Sequence, residues 1–244
     1  MEDLLTDNVD NTSLEFHNNT ENDRGVKHTF GPNNVIIIDD LFDHHFISEV
    51  EHWFMTDQAW KLDNTASRYS QPYGLEGFHK FLSITHFMMP DMFNPDWPGF
   101  DPILEQVYSA TTEHLGIQDA FLNSIQSNAM PYKCDGTFHV DVGGTYHKLF
   151  DRIVAVDQMY TLMYFSNSRW DSDWGGQFEY IDRSGNSHKI DYVPGRIILF
   201  PAVLKHRADG PQKQYIYRLS TVFRIIMSIE WVYNNQDPEI HQKT

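Results

Sequence analysis

From residue 120 onward the chain is a succession of short runs rich in β-branched and aromatic residues, at 121–128, 136–142, 159–165, 177–181, 196–200 and 218–229, separated by turn residues. Short β-branched and aromatic runs between turn residues read as strands. They predict antiparallel strands closed into a sandwich or jelly roll.

Helical periodicity is confined to the first half. After Val35-Ile36-Ile37-Ile38, which reads as a buried strand, Phe46, Val50, Trp53 and Phe54 fall at i, i+4, i+7 and i+8 and form one apolar stripe. A second helix opens at Asp101-Pro102, an N-cap followed by proline in the first helical position. It is expected to bury Ile103, Leu104, Val107, Thr111 and Leu115 before Gly116 closes it. Both helices are expected to back a sheet, so the predicted class is α+β, mainly β, with a jelly-roll core. Residues 65–99 lack clean periodicity and are read as strands and loops.

The chain of 244 residues suits one domain, placed at 34–233. Residues 1–33 carry seven acidic, two basic and six Asn side chains with few large apolar groups, a composition that predicts a flexible tail. Residues 234–244 read the same way. Eighteen Lys plus Arg against 34 Asp plus Glu give a formal charge of -16, which repels phosphate backbones and argues against nucleic-acid or anionic-membrane partners. That field would suit a basic peptide, although solubility alone accounts for it. Cys134 is the only cysteine, so no intrachain disulfide can form. With no signal-peptide pattern and no apolar run of spanning length, a soluble, cytoplasmic protein without membrane contact is expected; the oligomeric state stays open.

His139-Val140-Asp141 is the candidate chemical centre. Alternate residues of a strand share a face, so the imidazole and the carboxylate could meet one ion. Two histidines and a carboxylate on one face, with other positions open, mark non-haem Fe(II) oxygenases. The motif alone carries little weight, because about one H-x-D is expected by chance in this composition. The weight comes from the order of the residues downstream of it. A lone His206 between Lys205 and Arg207, read as a loop residue, is the candidate third ligand, with His147 as the alternative.

The blocks Tyr160-Thr161-Leu162-Met163-Tyr164-Phe165, Trp174-Gly175-Gly176-Gln177-Phe178-Glu179, Gly195-Arg196-Ile197-Ile198-Leu199-Phe200-Pro201, His206 and Arg218-Leu219-Ser220 come after H-x-D in that order. In this succession the chain resembles the 2-oxoglutarate and Fe(II)-dependent dioxygenases, and more narrowly their prolyl-hydroxylase-like branch, over residues 35–229. The resemblance implies a double-stranded β-helix core and implies Fe(II) held by His139, Asp141 and His206. Arg218 would anchor the distal carboxylate of 2-oxoglutarate, since a guanidinium offers two parallel hydrogen bonds where a lysine offers a point charge. Ser220, two residues on, would add a hydroxyl. Arg224 shares the parity of Arg218 but lies about 20 Å along an extended strand, which makes it the weaker candidate. Tyr164 would hydrogen-bond the co-substrate, and a register shift of one residue would put Phe165 in its place.

The implied reaction uses O2, releases succinate and CO2, and hydroxylates a C–H bond, with ascorbate as an optional reductant. A peptidyl residue, proline first, is the expected substrate, with a free amino acid or small metabolite close behind. A catalytically silent jelly-roll binding protein is the competing reading. A nucleic-acid base as substrate is disfavoured by the charge. The insert at 142–159, with Gly143-Gly144, Lys148 and Asp151-Arg152, departs from the simplest pattern beside the expected metal and is expected to shape substrate choice.

Overall fold

The computed structural model describes residues 17–21, 25–56, 58, 60–65, 80–88, 99, 101–118, 120–144, 146–149 and 152–228. Among the described residues there are fourteen strands and two α-helices: β1 His17–Glu21, β2 Lys27–Gly31, β3 Val35–Asp39, α1 His44–Thr56, β4 Lys61–Thr65, β5 Lys80–Met88, α2 Pro102–His114, β6 Phe121–Met130, β7 Tyr146–Leu149, β8 Arg152–Ala155, β9 Met159–Phe165, β10 Phe178–Ile181, β11 Ser187–Ile190, β12 Ile197–Pro201, β13 Lys205–Ala208 and β14 Arg218–Ile226. Nine strands form one sheet in the order β1-β2-β3-β12-β9-β14-β6-β5-β4. Three more form a smaller sheet, β11-β10-β13, and β7-β8 is a separate hairpin.

The sequence of β9 explains why this sheet is covered on both sides. All seven of its residues are buried, and successive side chains point to opposite faces. Tyr160, Leu162 and Tyr164 enter a cluster with Phe46, Val50 and Phe54 of α1 and Leu104 and Val107 of α2. Met163 and Phe165 enter another with Phe200 and Val222 of the large sheet and Phe178 and Tyr180 of the small one. Helices therefore back one face while the small sheet closes over the other, which is the jelly roll expected from the strand pattern. Each fully buried Leu, Ile or Phe contributes roughly 1.5–3 kcal/mol by leaving water, so both faces are strongly favoured.

The helices form as their caps and stripes predict. The Asp43 carboxylate accepts from the Phe46 amide at 2.8 Å at the start of α1, and the Asp101 carboxylate accepts from the Ile103 amide at 3.1 Å at the start of α2. Phe46, Ile47, Val50 and Phe54 of α1 are buried and Trp53 only packs at the edge. In α2, Leu104, Val107, Thr111 and Thr112 are buried, whereas Ile103 and Leu115 are partly covered.

Four expectations need correction. Residues 27–31, placed in the acidic tail, pair antiparallel with β3, and 17–21 pair with 27–31 in turn. Backbone pairing needs no apolar side chains, so composition alone misses an edge strand. Residues 136–142 are not a strand: their pairing is a single antiparallel bridge, His139 to His206. His206, expected in a loop, is on β13 and pairs with Tyr180. The insert at 142–159 contains the β7-β8 hairpin, with Tyr146 opposite Ala155. Residues 1–16 and 229–244, and most of 66–98, lie outside the described residues, as does the expected tail at 234–244. Among the described residues, no helix is long and apolar enough to cross a membrane.

Candidate metal centre and carboxylate anchor

His139 and His206 exchange two backbone hydrogen bonds, each 2.9 Å, and the amide of Asp141 donates to Ala202 O at 2.9 Å. These bonds bring the two histidines side by side and turn Asp141 in beside them. Each imidazole is then fixed by its other nitrogen: His139 Nδ1 is 2.9 Å from Thr137 O and His206 Nδ1 is 2.8 Å from Leu204 O. A carbonyl can only accept, so Nδ1 is the donor in both rings and Nε2 is the nitrogen turned toward Asp141. Both Nε2 atoms lie 4.0 Å from Asp141 carboxylate oxygens. The three ligand atoms all lie within 4.8 Å of one another.

This donor set fits a divalent transition metal. Ligands at roughly 2.0–2.2 Å from an ion and at right angles stand about 3 Å apart, a contraction within reach of side-chain rotation. Two neutral imidazoles and one carboxylate are the ligand types such ions take, leaving further positions open. His147 lies on β7, and its side chain is outside those described.

Both oxygens of Asp141 are already held. Thr161 Oγ1 donates to Oδ2 at 2.5 Å and Arg224 Nη2 to Oδ1 at 3.0 Å. Burial by itself would raise the Asp141 pKa. Arg224, His206, the Thr161 hydroxyl and His139 together outweigh it and hold the carboxyl well below its usual range, so it is ionised at neutral pH. Burial pushes His206 down to about 4, against the pull of Asp141, so this imidazole is neutral at pH 7. His206 packs against Phe178 and Phe200, with ring centroids 5.3 and 4.7 Å away. His139, at 30% side-chain exposure against 4% for the other two, marks the open side of the centre.

Arg218 and Ser220 face the same side of β14 as Arg224, with intervening Val222 in the apolar cluster between the sheets. Arg218 is fully buried. Its Nε donates to Gly176 O at 2.7 Å and its Nη1 to the Ser220 hydroxyl at 3.2 Å. Its Nη2 finds no hydrogen-bond partner among the described residues. The ring centroids of Phe165 and Tyr192 lie 4.9 and 5.1 Å from its guanidinium carbon. Burial lowers its pKa to about 10, with the Tyr192 and Asp209 charges acting the other way, so it stays protonated at neutral pH. Gly176 (φ +78°) permits the approach: a Cβ there would stand 2.7 Å from Trp170 Cζ2 and 3.4 Å from Arg218 Cδ.

The structure thus brings His139, Asp141 and His206 together and places Arg218 and Ser220 in contact. It does not bring Tyr164 to them. Tyr164 faces the helices, with the Phe42 ring 5.7 Å away, and Phe165 takes the place beside Arg218. The period-two alternation of β9 decides this, because two neighbours cannot share a face. No sequence motif marks Thr161, although it has the parity of Met163 and Phe165. Arg224, in sequence a rival anchor, is the partner of Asp141.

No family model matches the chain, and no curated protein matches it. Solved structures do. An oxidoreductase of the 2OG-Fe(II) oxygenase family from Burkholderia pseudomallei is 13% identical, with 79% of this chain and 85% of that chain covered and a TM-score of 0.56. A prolyl hydroxylase from Trichoplax adhaerens, in complex with a hypoxia inducible factor oxygen degradation domain peptide fragment, is 14% identical over 84% of this chain and 88% of that one, TM-score 0.54. HygX from Streptomyces hygroscopicus, with nickel and 2-oxoglutarate bound, is 11% identical over 81% and 84%, TM-score 0.53. The chain therefore has the double-stranded β-helix fold of the 2-oxoglutarate and Fe(II) oxygenases.

Proposed function

We propose that this chain is a 2-oxoglutarate- and Fe(II)-dependent oxygenase that hydroxylates a C–H bond, most suitably of a peptidyl residue such as proline. The observation that carries this reading is the convergence of His139 Nε2, His206 Nε2 and the Asp141 carboxylate, each held from behind by a Thr137, Leu204, Thr161 or Arg224 group. Three residues merely packed in a core would spend their polar atoms on protein partners. Here both Nε2 atoms face the carboxylate at 4.0 Å.

His139, Asp141 and His206 would hold Fe(II). Iron held there would supply, with 2-oxoglutarate and O2, oxidative decarboxylation to succinate and CO2 coupled to hydroxylation of the substrate. The protein supplies position and charge. Arg218 offers a protonated guanidinium and Ser220 a hydroxyl to the distal carboxylate, and the protein need not ionise or desolvate either group on binding. Phe178 and Phe200 keep water from the His206 side. The partly exposed His139 side is where substrate would approach. Ascorbate would serve as reductant in an assay, and the lone, buried Cys134 fits a reducing, cytosol-like compartment.

A peptide is favoured by the prolyl hydroxylases among the structural relatives and by the -16 charge, which suits a basic peptide. A small metabolite is the second reading, favoured by a HygX structure that holds hygromycin B. The test is Fe(II)- and 2-oxoglutarate-dependent succinate release, screened against proline-containing peptides, basic peptides, free amino acids and small metabolites. Substrate-stimulated succinate with Fe(II), absent with the Asp141→Ala variant, is the expected result. No Fe(II)-dependent succinate with any panel would favour a silent binding protein.

A further inference from the structure

Arg218 stands where one side of its strand runs out of partners. On the β6 side the ladder is complete, with Arg218 opposite Met130 and Leu219 opposite Ala129. On the β9 side pairing starts only at Ser220 opposite Phe165, the last residue of β9. Beyond it, Ser166 N–H still reaches Leu219 O at 3.0 Å. The remaining groups around Arg218 are met by side chains.

Asn167 takes the place of the missing strand. Its Oδ1 accepts from the Leu219 amide at 2.8 Å, and its Nδ2 donates to Tyr217 O at 3.1 Å. The residues before and after Arg218 are thus gripped by one amide group. The Tyr192 hydroxyl lies 2.5 Å from Leu219 O and 2.7 Å from Asn167 Oδ1, and it accepts from the Asn167 amide at 3.0 Å. Its ring lies stacked on Phe165, 4.4 Å away and 6° from parallel, and the Arg218 guanidinium carbon lies 5.1 and 4.9 Å from the two ring centroids. Behind Asn167 stands Glu51 of α1. It accepts from Asn167 Nδ2 at 2.9 Å, from the Ser168 amide at 3.1 Å and from the Ser168 hydroxyl. Asn167 and Tyr192 are both buried.

We propose that Asn167, with Tyr192 and Glu51, is a positioning unit that sets Arg218 to receive the co-substrate carboxylate, so that α1 contributes to co-substrate affinity without touching the site. This rests on Arg218 being that anchor. The alternation of acceptors and donors is what makes the unit specific. Asn167 needs an acceptor on one branch for Leu219 and a donor on the other for both Tyr217 and Glu51, and an aspartate could supply only the first. The unit is also distinct from the metal centre, which is held by Thr137, Leu204, Thr161 and Arg224.

The test compares full-length wild type, Asn167→Ala, Asn167→Asp, Tyr192→Phe and Glu51→Gln. Affinity for Mn(II) alone is measured first, then affinity of the Mn(II)-loaded protein for 2-oxoglutarate. Mn(II) affinity should stay within about twofold, since its ligands are supported elsewhere. The dissociation constant for 2-oxoglutarate should rise about tenfold for Asn167→Ala and Asn167→Asp, and severalfold for Tyr192→Phe, which keeps the ring and removes only the hydroxyl. In turnover the change should appear in the KM for 2-oxoglutarate rather than in kcat. Unchanged 2-oxoglutarate affinity in Tyr192→Phe and Glu51→Gln would overturn the positioning role even if the Asn167 variants do not fold. Equal losses of Mn(II) and 2-oxoglutarate affinity would also overturn it, in favour of a purely structural role. Wild-type protein that binds Mn(II) but not 2-oxoglutarate would instead overturn the anchor reading on which it stands.

Discussion

Arg218 and Arg224 stand on one face of one strand, six residues apart, and are held in opposite ways. Arg224 keeps 27% of its side chain exposed and gives Nη2 to Asp141 at 3.0 Å, with Nη1 3.5 Å from Gln126 Oε1. Arg218 is fully buried, and the groups it bonds are a carbonyl, a hydroxyl and the Met130 sulfur. A guanidinium next to an acid is half neutralised and serves to aim that acid. A buried guanidinium held by neutral groups is costly to desolvate, and its charge stays available to an anion that enters. The protein's net charge of -16 repels a dicarboxylate from a distance, so the attraction has to be local. On the proposed function, the outer arginine would serve the metal-binding carboxylate and the inner one the co-substrate.

Changes that separate the two ends test this division. The largest effect is expected from Asp141→Ala, which removes a metal ligand and also strands Arg224. Mn(II) binding and succinate release should fall by about a thousandfold or more, read by isothermal titration and by succinate assay. Next comes Arg218→Lys. It keeps the charge and loses the fork, so the 2-oxoglutarate dissociation constant should rise roughly 10- to 100-fold while Mn(II) affinity holds. Arg224→Met should do the reverse. With only Thr161 left to hold Asp141, Mn(II) affinity should weaken about tenfold, with a smaller change for 2-oxoglutarate. Were both arginine variants to weaken 2-oxoglutarate alike at fixed metal occupancy, the division of labour would be wrong.

Legibility in the sequence tracks the strength of the local pattern. β9 and β14 are long, apolar and bounded by turns, and both helices carry caps and stripes, so each is readable from its own residues. The small sheet is only partly so. β10 falls within the run at 177–181, but β11 and β13 have four residues each with mixed burial, too little alternation to mark a strand; His206 therefore reads as a loop residue. Residues 136–142 have strand composition but run beside β13 with bonds spaced unevenly, from Gly136 to Ala208, His139 to His206 and Asp141 to Ala202. The order of motifs points to the three residues that the structure gathers into one cluster, and to the buried Arg218. It does not find Thr161 or Arg224 as holders of Asp141, nor Asn167 and Tyr192 behind Arg218, because these pairings join residues far apart in the chain. Tyr164 is misplaced for a simpler reason: on a strand of period two, choosing between neighbours decides the face.

The face of β14 turned away from both arginines supplies the smallest expected effect, one that should leave either end untouched at neutral pH. Thr221 there meets the Ser127 hydroxyl at 2.9 Å, and Ser127 lies 3.0 Å from His86 Nε2. The His86 imidazole packs near Trp53 and Phe54, with centroids 5.5 and 6.0 Å away. Burial lowers its pKa from 6.5 to about 4. A histidine whose folded pKa is depressed binds its proton more readily in the unfolded chain, so its neutral form costs nothing above pH 6.5 and opposes folding increasingly as pH falls toward 4. The penalty reaches at most about 3 kcal/mol and is smaller where the unfolded chain keeps some structure. Thermal unfolding followed from pH 7.5 to 4.5 should show a steeper loss of stability in wild type than in His86→Gln, with equal 2-oxoglutarate affinity at pH 7.5. Parallel pH profiles would mean that His86 takes up its proton equally readily in the folded and unfolded protein, and that the helix-facing side of the sheet is wetter than its packing implies. A changed 2-oxoglutarate affinity would mean instead that the two faces of β14 are coupled, and that Arg218 depends on more than the side chains gripping its own end.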